Sequence, residues 1–421
     1  MTLEEPSDRL ARRLSTSDAV IIGLGSMLGA GVFAAVAPAA AAAGGAMLYS
    51  LLVAGIVAYL NATSSAQLAA IYPMAGGSYV YGKERLGDLW GYLAGWGFIV
   101  GKVASCAVMA LTFGSYAYPP LARPLAVAAV IFVGAINYRG VTKTAGVTKL
   151  TVSIVVLTLL AITVGSLLGG PLEVPDLVDD LVGPSALGVL QAAGLLFFAF
   201  AGYARIATLG EEVINPSRTI PIAIPLSLGI TLALYSVVST SALLAIGPEA
   251  VAGSAAPLAA AVGRGGFAWL TPLSRIGAAI ACLGVLLSLF AGVSRTTLAM
   301  ARDRRLPHFL AAIHPRFKVP HRAEIVVAIA ISLLVITTDF RSAIGFSSFL
   351  VLAYYAITNA SAWTLPSPQR RWPKAYSAVG FLGCFLLAFT LPTASVLSGL
   401  GVLAIGLVFY LIQARRAGLR L

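Results

Sequence analysis

Two clusters in otherwise apolar stretches carry groups suited to binding a small charged molecule. In the first, Gly23, Gly25, Gly29 and Gly31 place four glycines within nine residues. A helix unwound at this point would expose amide N–H groups and the N-terminus of a half-helix, both of which attract a carboxylate. Close packing of helices through small residues is the alternative explanation of the cluster.

The second cluster is aromatic and contains Phe198, Phe200 and Tyr203. If the helix is interrupted here, carbonyl groups freed at Phe198, Ala199 and Ala201 can accept hydrogen bonds from an ammonium group. Either Phe200 or Tyr203 would then cover the ligand. Ordinary core packing is the alternative for this aromatic run.

Composition decides which elements position these clusters. Of 421 residues, 59% are hydrophobic and 10% are charged, and the mean hydropathy is +0.91, so the chain cannot cover itself with polar surface. At about 20 residues per bilayer crossing, the apolar runs predict an all-α membrane protein with about twelve transmembrane helices. The predicted spans lie near residues 18–43, 45–70, 88–117, 121–138, 146–169, 187–211, 220–246, 271–301, 323–338, 342–364, 375–391 and 393–414.

The two clusters fall in the first and sixth predicted spans, five helices apart. This spacing predicts a 5+5 inverted repeat with discontinuous first and sixth helices, plus two C-terminal helices. A carboxylate-binding end facing an ammonium-binding end matches the zwitterion of an amino acid. We expect one polytopic domain over residues 1–421. It would consist of a cytoplasmic N-terminal segment (1–17), a first repeat (18–169), a second repeat (187–364) and two additional helices (375–414).

The net charge of +12 is explained by topology. With the first segment inside, 21 of the 28 lysines and arginines fall in cytoplasmic segments. This asymmetry predicts a multi-pass protein of the cell membrane with both termini cytoplasmic. The basic excess is better explained by contacts with lipid headgroups than by nucleic acid, which we do not expect as a partner. Residues 1–17 also lack the apolar core and cleavage site of a secretory signal, so the first span should be retained.

Catalysis and metal binding are disfavoured by where the reactive side chains lie. His308, His314 and His321 share one predicted cytoplasmic loop, and the three cysteines sit in apolar runs without metal-ligand spacing. A channel would show repeated filter segments or rings of charge, and neither is present in the sequence. We expect no enzyme activity, no cofactor and no metal site.

Five ordered motifs resemble a known family, the amino acid-polyamine-organocation superfamily, whose members share the leucine-transporter fold. The resemblance covers the first eight spans. The motifs occupy residues 25–33, 72–81, 198–202, 211–216 and 300–307.

The resemblance implies secondary active transport, with the substrate carboxylate on first-span amides and its amine on sixth-span carbonyls. It also implies an outer gate at Phe200, and Tyr203 is a second gate candidate because its ring could cover the substrate. The implied substrate-binding residues are Ser26, Met27, Leu28, Gly29, Ala30, Gly31, Phe198, Ala199, Ala201 and Gly202.

Coupling is left open, because the sequence departs from proton-coupled relatives that carry a lysine midway along the fifth span. That position falls near Val155, where no lysine is present. Proton coupling through another group, sodium coupling and obligatory exchange all remain.

Three residues inside predicted spans are candidates for a coupling role. Lys102 lies near the middle of the third span. It either carries a proton, repels a cationic side chain of the substrate, is held by carbonyl groups, or extends its ammonium toward the membrane surface. Arg205 is a poor proton carrier and either pairs with Glu211 or Glu212, binds a substrate acid, or orders a gate. Ser294 is a candidate cation ligand, although hydroxyls bonded to their own helix are commoner.

The absence of acidic residues from the middle of every predicted span favours neutral amino acids as the substrate. A cationic amino acid or polyamine exchanger, or a carrier of another small amine metabolite, is the alternative, because cation–π contacts or carbonyl groups can replace a carboxylate.

Overall fold

The computed structural model describes residues 14–29, 31–72, 76–140, 145–207 and 212–416. Within these ranges the chain is helical, and the sole β-type pairing is an isolated bridge between Leu14 and Val213. The α-helices are α1 (Thr16–Met27), α2 (Gly31–Ala43), α3 (Met47–Ile71), α4 (Ser78–Leu86), α5 (Asp88–Ala117), α6 (Ala122–Tyr138), α7 (Ala145–Leu168), α8 (Val174–Leu181), α9 (Ala186–Phe200), α10 (Ala204–Ala207), α11 (Pro216–Gly253), α12 (Pro257–Gly263), α13 (Thr271–Arg302), α14 (His321–Thr337), α15 (Phe340–Trp363), α16 (Lys374–Thr390) and α17 (Thr393–Arg416).

Nine helical stretches among the described residues are long and apolar enough to cross a membrane. The sequence predicted about twelve spans, and the difference comes from shorter helices. The first predicted span is divided between α1 and α2, of which α2 runs on into α3 within the stretch Gly31–Ile71. The ninth and eleventh predicted spans correspond to α14 and α16, which have 17 residues each.

The centre of the bundle is formed by the packing of helices far apart in the sequence. α5 lies along both α13 and α15, whereas α2 packs on α9 and α1 packs on α11. The resulting core is rich in small and aromatic side chains, and Phe33, Phe197 and Phe290 are fully buried in it. Both sequence clusters therefore lie in the interior of the bundle.

A sharp break near one end of α11 ends its regular part. Gly247 has a φ of 75° and a ψ of 158°, a conformation that side chains resist, and Pro248 follows it. The predicted seventh span stopped at residue 246, at this break. Beyond it, the chain forms the short helix α12, which the sequence did not predict.

Two other short helices cover opposite ends of the bundle, and neither was predicted. α4 packs on α5 beside the end of α13, and we call this side the α4 end. α8 packs on the turn between α2 and α3, and we call this opposite side the α8 end. There the Gly45 N–H donates to the Asp180 carboxylate at 2.6 Å, which fastens α8 to the turn.

Candidate substrate site

The backbone leaves the helix between α1 and α2. Met27 is the last residue of α1, and Leu28 caps it by donating its N–H to the Leu24 carbonyl at 2.8 Å. The helix resumes as α2 at Gly31, and Ala30 lies outside the described residues. The first amides of α2 have no carbonyl partner within their own helix, so its N-terminus offers donors and a positive dipole end. The interruption falls within the glycine cluster.

The second interruption is milder than the sequence suggested. α9 ends at Phe200, the segment Ala201–Tyr203 forms one 3-10 turn, and α10 begins at Ala204. The expectation of a free carbonyl at Phe198 was wrong, because this group accepts the N–H of Ala201. A 3-10 turn tightens the helix and keeps hydrogen bonds between residues three apart, so less backbone is released than by unwinding.

The two interruptions lie against each other. A Cβ added to Gly202 would overlap the carbonyl oxygen of Ser26 and crowd the Met27 side chain. A Cβ on Gly31 would overlap the Cβ of Ala199. Only glycine permits such close approach of two backbones. The structure thus brings together the residues that the sequence assigned to the carboxylate and to the amine.

Tyr235 on α11 joins the two segments, a role that no sequence motif indicated. Its hydroxyl lies 2.6 Å from the Met27 carbonyl and 3.3 Å from the Ala199 carbonyl. A hydroxyl has one hydrogen to donate, so it bonds Met27 at the shorter distance and can turn to Ala199. The available signal was a tyrosine in the middle of an apolar span, where its hydroxyl must find a partner.

Several assigned side chains are engaged elsewhere. The Ser26 hydroxyl donates to the Ile22 carbonyl at 2.9 Å, within its own helix. Gly29 packs against Ala281 on α13, and its carbonyl lies 3.6 Å from the Cys282 Sγ. Leu28 is 1% exposed. In this conformation, therefore, Ser26 offers a ligand no free hydroxyl, and the Gly31 amide is hydrogen-bonded to the Tyr235 hydroxyl.

Lys102 reaches the second interruption from α5. The side chain is buried, and its Nζ lies 3.5 Å from the carbonyl oxygen of Ala201. Ser294, the other coupling candidate of the bundle interior, is fully buried on α13. Its hydroxyl has no hydrogen-bond partner among the described residues.

Comparison with known proteins gives the family. The sequence profile described as "Amino acid permease" matches residues 14–412. The chain belongs to the amino acid permease family. It is a transporter and not an enzyme.

Three relatives show the range of the family around this permease. An uncharacterized transporter of Mycobacterium tuberculosis is 58% identical over 96% of this chain and 91% of its own length. A branched-chain amino acid permease of Bacillus subtilis is 26% identical over 97% of this chain and 94% of its own length. The vacuolar cationic amino acid transporter 4 of Arabidopsis thaliana is 30% identical over 79% of this chain and 59% of its own length.

Beyond the second interruption, toward the α4 end, the permease has a tyrosine cluster of Tyr203, Tyr354 and Tyr355. The Tyr203 ring stacks on Tyr355 with centroids 5.2 Å apart, and Tyr354 lies 4.4 Å from Tyr355. The cavity lined by Tyr354 and Tyr355 has a volume of about 30 Å³, room for about one water molecule. Phe200, the other predicted gate residue, instead packs against Tyr235 at 5.4 Å.

Arg205 forms an ion pair with Glu212, with 3.8 Å between Nη2 and Oε1. This is one of the two pairings that the sequence suggested. Glu211 lies outside the described residues. Because the guanidinium already faces a carboxylate of its own chain, this contact favours a structural role for Arg205 over binding of a substrate acid.

At the α4 end, the second family motif holds α4 to the end of α13. The Tyr79 hydroxyl donates to the Asp303 carboxylate at 2.6 Å, and the Lys83 Nζ donates to the same oxygen at 2.8 Å. Partial burial acts to raise the pKa of Asp303, but the hydrogen bonds from Lys83 and Tyr79 outweigh it and lower this pKa below its ordinary value. Charged Asp303 therefore fastens α4 over the tyrosine cluster.

The α8 end is more open. An open cavity of about 820 Å³ is lined there by α11, α12 and the start of α13, including Arg264 and Arg275. Arg264 pairs with Glu173 at 2.8 Å, and an Arg275 nitrogen donates to the Tyr116 carbonyl at 3.2 Å. The larger of these two cavities thus lies at the end opposite the tyrosine cluster.

Proposed function

We propose that this permease is a secondary active transporter of neutral amino acids that works by alternating access. The observation that carries the proposal is the contact between the two interruptions, where Gly202 meets Ser26 and Gly31 meets Ala199. The amides at the start of α2 would bind the substrate carboxylate, and the carbonyls of Ala199 and Ala201 would bind its amine. Phe200 and Tyr203 are the proposed gates.

The proposed architecture has twelve spans in a 5+5 inverted repeat, followed by α16 and α17. The first repeat runs from α1 to α7 and the second from α9 to α15. Interruptions at the same ordinal position, in the first and sixth spans, support this arrangement. So does the packing of α1 and α2 on the interrupted sixth span.

The proposed topology places the α4 end and both termini in the cytoplasm. Lys83, Arg85 and Arg305 all lie at the α4 end, as the excess of basic residues in cytoplasmic segments requires. The structure would then be closed toward the cytoplasm by the tyrosine cluster and wider at the outer face, where the larger cavity lies.

Neutral substrates are favoured over cationic ones by the charge near the second interruption. No acidic side chain forms an ion pair with Lys102 among the described residues, and the Lys102 ammonium would repel a second cation. The Bacillus subtilis relative is a branched-chain amino acid permease, which makes leucine, isoleucine and valine the first candidates.

Coupling is proposed to involve Lys102 or Ser294, since Arg205 faces Glu212. Lys102 could exchange a proton, and the Ser294 hydroxyl could contribute to a sodium site.

The test is uptake of labelled amino acids by proteoliposomes under an imposed proton gradient, an imposed sodium gradient, or neither. We expect leucine, isoleucine or valine to accumulate above the level of protein-free liposomes. Stimulation by one gradient identifies the coupling ion, and counterflow without either identifies exchange. Failure of every neutral amino acid to enter, together with uptake of arginine or a polyamine, would replace this proposal with the cationic alternative.

A further inference from the structure

Lys102 is a buried cation without a carboxylate. It lies in the middle of α5 with 4% of its surface exposed, and the ion pairs among the described residues do not include it. A buried ammonium is costly unless other groups compensate it. Its hydrogen-bond acceptor is the Ala201 carbonyl at 3.5 Å.

Part of the compensation comes from the C-terminal end of α9. Ala201 directly follows the last residue of α9, and Gly202 lies against the last turn of α1 at Ser26. The C-terminal end of a helix carries roughly half a negative charge, spread over carbonyl groups without helical partners. The Ala201 carbonyl at the end of α9 therefore offsets part of the cost of burying this lysine without an acid.

The same carbonyl is the one assigned to the substrate amine. An amino acid that places its ammonium on Ala201 brings a second positive charge to the acceptor that Lys102 uses. Like charges at this range in a buried site repel strongly, so Lys102 must withdraw or lose its proton when an amino acid binds.

A 2-oxo acid has no such conflict. It keeps the carboxylate and side chain of the corresponding amino acid, and a carbonyl oxygen replaces the ammonium. This oxygen accepts hydrogen bonds, which suits the Lys102 ammonium and not the backbone carbonyl.

We propose that Lys102 is a resident ammonium at the amine subsite, and that the permease therefore also binds 2-oxo acids, with Lys102 donating to the 2-oxo group. The location of the subsite rests on the proposed function. The substrate class follows from Lys102 itself.

The experiment uses the purified permease in lipid nanodiscs and measures the binding of three ligands that share the side chain of leucine. They are leucine, 4-methyl-2-oxopentanoate, and 3-methylbutylamine, which has no carboxylate. We expect wild type to bind the 2-oxo acid with a Kd within about tenfold of that for leucine, and to bind the amine far more weakly.

The variant Lys102→Met removes the charge and keeps the length of the side chain. We expect it to weaken 2-oxo acid binding by about tenfold or more and to tighten leucine binding severalfold, because the competing cation is gone. Opposite shifts distinguish this role from simple packing, which would weaken both ligands together. Lys374→Met is the control, because Lys374 is an exposed lysine at the start of α16 whose ammonium lies over the Trp363 ring. It should change the Kd of neither ligand.

Wild type that binds leucine but not 4-methyl-2-oxopentanoate would overturn the inference without the need for any variant. So would parallel weakening of both ligands by Lys102→Met. If wild type binds the 2-oxo acid but transports no amino acid, the inference stands and the proposed function fails.

Discussion

The hydroxyl of Tyr235 donates to the carbonyl of Met27 across 2.6 Å, at the point where the first span leaves its helix. The hydroxyl oxygen of Tyr235 also lies 3.3 Å from the carbonyl oxygen of Ala199. One side chain on α11 therefore ties the end of α1 to the end of α9. The relative position of the two proposed subsites depends on it.

Tyr235→Phe should weaken substrate binding without unfolding the permease. A hydrogen bond of this kind contributes about 0.5–1.5 kcal/mol, so we expect leucine Kd and KM to rise between about twofold and tenfold. Tyr92→Phe is the matched control, since Tyr92 is equally buried but stacks on Trp96, away from both interruptions. An unchanged KM in Tyr235→Phe would show that this bond does not position the subsites.

Gly202→Ala should abolish uptake while the permease still inserts into the membrane. The added Cβ overlaps the Ser26 carbonyl and pushes the two interruptions apart. Gly229→Ala, also in a span, has no atom near its added Cβ and should transport like wild type. The measurement is initial uptake rate normalised to protein in the membrane fraction. Equal rates for the two variants would contradict the proposed contact.

Gly29→Ala tests the other face of the first interruption. Its added Cβ overlaps the Ala281 carbonyl on α13, so we expect α1 to be displaced and uptake to fall by about tenfold or more. Crosslinking of cysteines introduced on α1 and α13 would detect the displacement directly. Normal uptake would mean that α13 moves away from the added Cβ and that this contact does not position α1.

Arginine should be a poor ligand. The Lys102 ammonium and the absence of ion-paired acids beside it, among the described residues, disfavour a second positive charge. At about a hundredfold excess over labelled leucine, we expect arginine to leave most of the uptake intact and isoleucine to suppress it. Inhibition by arginine equal to that by isoleucine would refute the preference for neutral side chains.

The contact between α4 and Asp303 should depend on pH. The folded pKa of Asp303 is lowered, so its contribution to stability is complete above the unfolded value of about 3.9 and is lost as the pH falls through the folded pKa. Asp303→Asn should lower the Tm at pH 7, by an amount equivalent to about 1 kcal/mol or less, because the pair is partly exposed.

The Tm difference between wild type and Asp303→Asn should shrink as the pH is lowered through the folded pKa. Glu249→Gln, which removes an exposed acid beyond the break in α11, is the control for the loss of a surface charge. A Tm difference that stays constant down to acid pH would mean that the charge of Asp303 does not hold α4.

The sequence predicted the helices well because membrane-spanning segments are set by length and polarity. The third span was predicted at residues 88–117, and α5 occupies Asp88–Ala117. The short helices α4, α8 and α12 were missed because each is too short and too polar, or too near a break, to register as an apolar run.

The candidate site could be predicted from the sequence where glycines, an aromatic run or a charge stand inside an apolar span. The glycine cluster that ends at Gly31 indicated the first interruption, the aromatic run from Phe198 to Tyr203 indicated the second, and Lys102 indicated a buried cation. The form of the second interruption was not predictable, because aromatic residues tolerate a 3-10 turn and an unwound segment equally in sequence. The partner of Lys102 and the bridge formed by Tyr235 depend on packing between helices distant in the chain.

The most direct test of the account is an experimentally determined structure of the permease with bound leucine. We predict ligand density between the two interruptions, with the carboxylate on the amides at the start of α2 near Gly31 and the amine facing the carbonyls of Ala199 and Ala201. Leucine density confined to the cavity at the α8 end, with the two interruptions still in contact and empty, would contradict it.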